Sequence, residues 1–194
     1  MTTRHTIIYA MVTLLTAAIA GCGSGPYSYA RYYEPLEAER PYHETSREFT
    51  LGAVTARPQD FDGQLIAWFG IVEKVLDTKD GRSLVRLSFH KHKNRHLCEG
   101  ETESTCRVTV NQGSTGKFAA AVFLKPEDMK PGLDKIQPGT LMRIIGKVRC
   151  VEDENGDPKC DTDAKNGIII YCDYYRQWPA RHYRTTRSAG KMVR

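Results

Sequence analysis

Two long apolar runs, each with a glycine near its middle, constrain the fold of this chain more than any other feature. The first covers residues 64–78 (QLIAWFGIVEKVLDT) and contains Gly70, and the second covers residues 141–151 (LMRIIGKVRCV) and contains Gly146. A glycine inside a strand marks a bulge or a sharp bend, and a bent strand can serve both sides of a small barrel. The two runs therefore predict a closed β-barrel.

Shorter strand signals accompany these runs, at residues 83–89, 107–110, 117–124 and 168–175. No stretch of the sequence has the periodicity of a long amphipathic helix, and residues 126–136 have room for a single helical turn. The pattern predicts a mainly β protein in which residues 57–176 form an OB-like barrel of five to six strands, with at most a short helix. Such a barrel is small enough to need only one hydrophobic core.

The first 21 residues have the three parts of a secretory signal. Arg4 supplies a positive charge, residues 7–20 form an uncharged apolar run, and small residues end it. The run is shorter than the roughly 20 residues that a transmembrane helix needs. It closes on the tetrapeptide Ile-Ala-Gly-Cys at residues 19–22, which resembles the lipobox of bacterial lipoprotein precursors. An ordinary secretory signal and an uncleaved short anchor are the alternatives.

The lipobox resemblance implies a location for the mature protein. Cys22 would become its first residue and would carry a diacylglyceryl group and an N-acyl chain, with no other cofactor. Gly23 stands where an aspartate would retain a lipoprotein at the inner membrane, so the expected location is the outer membrane, lipid-anchored and facing the periplasm. Residues 22–56 would form a lipidated tether and an irregular segment ahead of the barrel.

A second resemblance lies within the barrel region. The spacing of several residues resembles the opening of the Slp-type outer-membrane lipoprotein family, namely Pro58, Phe61, Gly63, Ile66, Trp68 and Gly70. A later stretch is similar in the same way, through Pro138, Gly139, Ile144, Gly146 and Val148. The resemblance covers residues 58 to about 176 in spacing alone, and it implies an envelope role without established catalytic residues.

The cysteines fit an exported protein, where disulfides are stable. The chain has six cysteines, and lipidation of Cys22 would leave an odd number for pairing. Two pairs each bracket a local loop and are favoured as disulfides: Cys98 with Cys106, and Cys150 with Cys160. Cys172 would then be a buried thiol. A bond between Cys150 and Cys172 across a hairpin is the alternative.

The positive charge of the chain is concentrated at its C-terminus. The net charge is +5, but the barrel region is balanced, so nucleic acid is an improbable partner. Residues 177–194 form a basic tail, and five residues in or next to it combine guanidinium and aromatic groups: Arg176, Trp178, Arg181, Tyr183 and Arg184. Such groups bind phosphate or carboxylate and stack on rings. The expected partners are peptidoglycan, lipopolysaccharide or another envelope protein, and a disordered tail is the alternative.

His90, His92 and His96 form the densest set of candidate metal ligands. Imidazole suits zinc or copper, and His90 and His92 would share one face of a strand. Basic residues interleave with these histidines, so a solvated basic loop is the alternative.

Catalytic motifs of hydrolases are absent from the sequence, and no catalytic residues are predicted. The leading hypothesis is a non-enzymatic, lipid-anchored envelope protein that binds or scaffolds another envelope component. The alternative is a metal- or redox-linked envelope protein that uses the three histidines and Cys172.

Overall fold

A computed structural model describes residues 29–78, 80–100, 105–165 and 167–186. Cys22, the leader and the last residues of the predicted tail lie outside these ranges. Among the described residues, no helix is both long enough and apolar enough to cross a membrane.

The described residues are mainly β. In chain order the strands are β1 (Tyr29–Tyr32), β2 (Leu65–Asp77), β3 (Ser83–Phe89), β4 (His92–Cys98), β5 (Cys106–Asn111), β6 (Lys117–Val122), β7 (Leu141–Lys147), β8 (Cys150–Glu152), β9 (Pro158–Cys160), β10 (Thr162–Asp163), β11 (Gly167–Trp178) and β12 (Tyr183–Thr186). The helices are short: α1 (Arg40–Thr45), α2 (Leu51–Ala56) and α3 (Pro126–Met129). Two 3-10 turns cover Pro58–Phe61 and Ala180–His182.

Five strands close a barrel. Their order is β11-β6-β3-β2-β7, and β7 pairs again with β11 to complete the ring. The pairs are antiparallel except β6 with β11, which is parallel. The chain order is a long first strand, a hairpin, a third strand, the short helix α3, and two final strands. This architecture confirms the predicted OB-like barrel.

The first glycine bend lets β2 pair with two neighbours. Its first half pairs with β7 and its second half with β3, and Gly70 lies where the two pairings overlap. A Cβ atom at Gly70 would lie 2.8 Å from the Cβ of Leu87 and 2.9 Å from Cε1 of Phe118. Both distances are shorter than side-chain atoms tolerate. Glycine is therefore required by the close approach of the barrel wall to its own core.

The second glycine lies where the barrel closes. Gly146 of β7 pairs with Cys172 of β11, beside a register shift in β11. A Cβ atom at Gly146 would lie 2.2 Å from the backbone oxygen of Tyr171. Because that neighbour is backbone, no rotamer change can make room for a side chain.

The barrel interior is the main hydrophobic core. Its fully buried large side chains include Ile66, Trp68, Leu87, Phe118 and Ile144. The indole N–H of Trp68 donates to the carbonyl of Phe49 at 2.6 Å, which fastens the segment before α2 to the barrel.

A second sheet lies against the barrel, in the order β1-β4-β5-β12. Strands β4 and β5 are inserted between barrel strands β3 and β6, whereas β1 and β12 come from opposite ends of the chain. A smaller apolar core contains Phe69 and Leu141 from the barrel, Val108 and Val110 from β5, and Trp178 at the end of β11.

This sheet corrects three sequence-based expectations. Residues 22–56 are not irregular where the structure describes them, because they contain β1, α1 and α2. Residues 92–98 form a strand and not a solvated loop. The predicted tail, 177–194, is part of the fold through Thr186, because β12 pairs in parallel with β5. Strands β1 and β12 pair with strands that are distant in sequence, so local pattern does not reveal these pairings.

The disulfide prediction is confirmed. Cys98 bonds to Cys106 across the β4–β5 pair, and Cys150 bonds to Cys160 across the β8–β9 hairpin. Cys172 is a free thiol, so the alternative bond between Cys150 and Cys172 is wrong.

Candidate functional site: a small basic pocket over a buried charge cluster

The site begins with a carboxylate that has no contact with solvent. Glu39 immediately precedes α1 and is 0% exposed. Its carboxylate accepts hydrogen bonds from the Tyr33 hydroxyl at 2.5 Å and from the Leu36 amide at 3.3 Å. A buried carboxylate needs a cationic partner as well, and strands β7 and β11 of the barrel supply two.

Arg143 is the principal cationic partner of Glu39. Arg143 lies on β7 and is 2% exposed, and its Nη1 donates to the Glu39 carboxylate. Its Nη2 lies 2.8 Å from Nδ1 of His43, and its guanidinium lies 4.8 Å from the centre of the Tyr33 ring. The Glu39–Arg143 pair thus joins the segment around α1 to the barrel.

Arg176 of β11 is the second cation. Its side chain is 25% exposed, and its guanidinium lies 4.9 Å from the centre of the Trp178 ring. Within the described residues its hydrogen bonds all use Nη1 and are long: 3.4 Å to the Tyr33 hydroxyl, 3.4 Å to the Glu34 carbonyl and 3.5 Å to Glu39. The other guanidinium nitrogens therefore keep donor capacity.

Two neutral histidines complete the cluster. Nε2 of His92 lies 3.3 Å from Nε2 of His96, and the His92 ring stacks on Phe69 with 4.3 Å between ring centres. Burial is the main cause that lowers the pKa of His92 to about 3, with nearby His96 and Arg143 adding to it. Burial, followed by the charge of Arg176, lowers the pKa of His96 to about 4.

His90 does not join the other two histidines. Its Nδ1 lies 2.8 Å from the Asn111 carbonyl oxygen and its Nε2 lies 3.1 Å from the Ser88 hydroxyl. The structure therefore divides the predicted metal set of His90, His92 and His96. Within the described ranges there is no group of three or more His, Cys, Asp or Glu side chains that could hold a metal ion.

A small cavity opens above this cluster, between β1 and the end of β11. We call it the basic pocket. It has a volume of about 240 Å³ and is lined by Arg31, Tyr32, Tyr33, Glu34, Pro35, Leu36, His96, Cys106, Val108, Arg176 and Trp178. Arg31 and Arg176 contribute two positive charges to the lining and Glu34 one negative charge. The Glu39–Arg143 pair behind it is neutral.

Only two of the five predicted binding residues, Arg176 and Trp178, line this pocket. Arg181 makes a long ion pair with Asp134 at 3.6 Å. The Tyr183 hydroxyl donates to the Gly139 carbonyl at 2.9 Å, and Arg184 lies 4.0 Å from the Glu99 carboxylate. These three residues attach the C-terminal segment to the rest of the fold.

Sequence reasoning missed most of the site. These residues lie on two distant segments of the chain, and none belongs to a local motif: Arg31, Tyr33, Glu39 and His43 on the first, and Arg143 on the second. The clustering of tyrosines at 27–33 is the one sequence signal near the pocket, and it does not indicate which ring faces inward.

A larger, mainly apolar cavity of about 540 Å³ is lined in part by Phe69 and His92. Its walls include Phe49, Trp68 and Phe89. Two of these walls come from barrel strands and one from the segment before α2, so the cavity lies where that segment crosses the barrel.

Cys172 lies apart from the histidines and packs against the barrel core. Burial raises the pKa of its thiol to about 12, and the neighbouring charge of Asp173 acts in the same direction. The thiol donates to the Tyr174 carbonyl at 3.1 Å. A thiol held neutral in this way is a poor nucleophile and a poor metal ligand.

No family model matches this sequence, and the comparison with curated proteins gave no match.

Proposed function

We propose that this chain is a lipid-anchored protein of the outer membrane that faces the periplasm and binds another envelope component without catalysis. The observation that carries the binding role is Arg176. Its guanidinium is oriented by Trp178 and Tyr33, and its hydrogen bonds to the residues that the structure describes are all long. A partly buried arginine over aromatic rings is a preorganised group for a carboxylate or phosphate.

The location rests on the sequence. The Ile-Ala-Gly-Cys tetrapeptide at residues 19–22 resembles a lipobox, and Gly23 follows it. The spacing resemblance to Slp-type lipoproteins supports an envelope role. Two disulfides in the described residues are compatible with an exported protein.

The experiment that tests the proposal uses the full chain, extracted from membranes in detergent. Mass spectrometry of the peptide that contains Cys22 should find a diacylglyceryl group and an N-acyl chain. Retention of the protein on purified envelope fractions (peptidoglycan sacculi, lipopolysaccharide and phospholipid) should fall in Arg176→Gln.

Arg57→Gln is the matched control, because Arg57 pairs with Asp60 at 3.4 Å on the exposed surface, where its side chain is 76% accessible. Its retention should equal that of the wild type. An unmodified Cys22 would contradict the location, and equal retention of both variants on every fraction would contradict the binding role.

A second candidate function, a metal-linked envelope protein, is favoured by one distance. Two nitrogen ligands of a tetrahedral zinc ion lie roughly 3.3 Å apart for bonds of about 2.0–2.1 Å, and the Nε2 atoms of His92 and His96 have this separation. Arg143 and Arg176 oppose a cation there, and Cys172 lies elsewhere. Zinc titration by calorimetry decides: binding that His92→Gln abolishes would support this function, and absence of heat would exclude it.

A further inference from the structure

We propose that the basic pocket holds the phosphate of a lipid headgroup in the same membrane that carries the protein's anchor. This inference rests on the lipid anchor of the proposed function and names the component that the pocket binds.

The first step is the reach of the chain between the anchor and the fold. Strand β1 begins at Tyr29, which is seven residues after Cys22. An extended chain spans at most about 3.6 Å per residue, so this connection cannot exceed roughly 25 Å. Arg31, the first pocket residue, lies only two positions further along β1. The tether therefore keeps the mouth of the pocket near the headgroup layer.

The second step is the apolar rim. Tyr32 is 59% exposed and Leu36 is 49% exposed, and both line the pocket. Strand β1 lies at the edge of its sheet, with β4 as its neighbour. Tyrosine side chains favour the interface between water and hydrocarbon. The side of the fold that the tether brings to the membrane thus carries exposed groups suited to it.

The third step is the charge and size of the pocket. Arg176, whose side chain is 25% exposed, supplies a positive charge to the lining, and a phosphodiester has a charge of −1. Arg176 can form two parallel hydrogen bonds to phosphate oxygens. The volume of about 240 Å³ is below the roughly 300–1,000 Å³ of sites for drug-sized ligands. It suits a phosphate with its adjoining carbons, while the acyl chains stay in the membrane.

The last step is effective concentration. A tethered site meets its ligand as if in a solution of about millimolar concentration. A weak intrinsic affinity for one headgroup therefore suffices for occupancy, which agrees with a site that has one partly exposed arginine at its centre. Occupancy would hold the domain in one orientation on the membrane.

The test places the full lipidated chain in phosphatidylcholine vesicles made with and without phosphatidylglycerol, each containing lipids brominated on the acyl chains. Bromine quenches tryptophan fluorescence at short range, and Trp178→Phe gives the contribution of Trp68. We expect stronger quenching of Trp178 with phosphatidylglycerol. We also expect that Arg176→Gln lowers the apparent affinity for that lipid about fivefold, as for one basic group at an anionic surface. Arg57→Gln should behave like the wild type.

Three outcomes separate the possible failures. Quenching that is equal in both vesicles and in Arg176→Gln overturns the inference, while retention on sacculi that depends on Arg176 would leave the proposed function standing. A saturable fluorescence change with inorganic phosphate, equal in both vesicles, assigns the pocket to free phosphate and also overturns the inference. A Cys22 without acyl groups contradicts the proposed function itself. If Arg176→Gln does not fold, the wild type is measured at high salt instead. Salt screens the attraction between Arg176 and the phosphate, so the effect of phosphatidylglycerol on quenching should disappear.

Discussion

The carboxylate of Glu39 binds the guanidinium of Arg143 across 104 positions of sequence, and both side chains are almost wholly excluded from water. This contact joins the N-terminal segment to the barrel. Tyr33 and Arg176 bind the same carboxylate, so residues from both parts of the chain meet at Glu39. Glu39 thereby also positions Tyr33 and Arg176, two residues that line the basic pocket.

The first prediction concerns this pair. Glu39→Gln leaves Arg143 buried without its counter-charge, and breaking a buried pair in this way costs about 3–5 kcal/mol. We expect a loss of that size in the free energy of unfolding, measured by urea denaturation of the full chain in detergent. In the double variant Glu39→Gln/Arg143→Met the loss should be smaller than the sum of the two single losses.

The control for this prediction is the exposed pair of Arg57 and Asp60. Arg57→Gln should change the free energy of unfolding by less than about 1 kcal/mol. Equal effects of Glu39→Gln and Arg57→Gln would show that water reaches Glu39 and that its pair with Arg143 does not hold the N-terminal segment on the barrel.

The sequence predicts the barrel well because its strands carry their own signal. In β2 and β7 the aliphatic and aromatic side chains fill the core, and the glycines stand where neighbouring atoms approach too closely for a Cβ. Strand β4 has no such signal. Its buried positions are His96 and Cys98, so a hydropathy pattern marks it as a basic loop.

The site was less predictable than the fold for a related reason. Glu39 and Arg143 have the residue types that are least often buried, and only the pairing of distant segments makes their burial possible. Arg176 and Trp178 could be named because they share one strand. Their partner Tyr33 lies 143 positions away from Arg176, and no local spacing connects them.

A second prediction concerns the closure of the barrel. Gly146→Ala would place a Cβ atom 2.2 Å from the backbone oxygen of Tyr171, and relief requires the β7–β11 pairing to open. We expect a destabilisation of at least about 3 kcal/mol, the upper range for overpacking, measured by thermal unfolding.

Gly52→Ala provides a contrast of opposite sign. Gly52 lies in α2, and a Cβ atom there would meet nothing within 4 Å. Alanine should stabilise the fold by about 0.5–1 kcal/mol, because it restricts the unfolded chain. A mild effect of Gly146→Ala, comparable in size to that of Gly52→Ala, would mean that the barrel is not closed at this point.

A third prediction concerns pH. In the unfolded chain a histidine has a pKa near 6.5, whereas folding lowers the pKa of His92 to about 3 and that of His96 to about 4. Below pH 6.5 the unfolded state therefore binds protons that the folded state does not bind. The contribution of the two histidines to the free energy of unfolding is fully present above this pH. It falls as pH decreases toward 4, by up to about 1.4 kcal/mol per pH unit for each histidine.

Unfolding by urea at a series of pH values between 4 and 7 measures this slope. His92→Gln removes one of the two proton sites and should flatten the slope by about half. His182→Gln is the control, because His182 lies in the 3-10 turn before β12, bonded to Arg181. An unchanged slope in His92→Gln would assign the pH dependence to other groups.

The last prediction counts thiols, and it tests the disulfides and the anchor together. Four of the six cysteines form disulfides and Cys172 is free. In the native protein Cys172 should resist alkylation at neutral pH, because burial raises the pKa of its thiol to about 12. Unfolding without reductant should expose one reactive thiol if Cys22 is a lipid thioether, and two if Cys22 is unmodified. Cys172→Ser lowers either count by one. If the native wild type has a fast-reacting thiol that Cys172→Ser removes, folding does not raise the pKa of the Cys172 thiol.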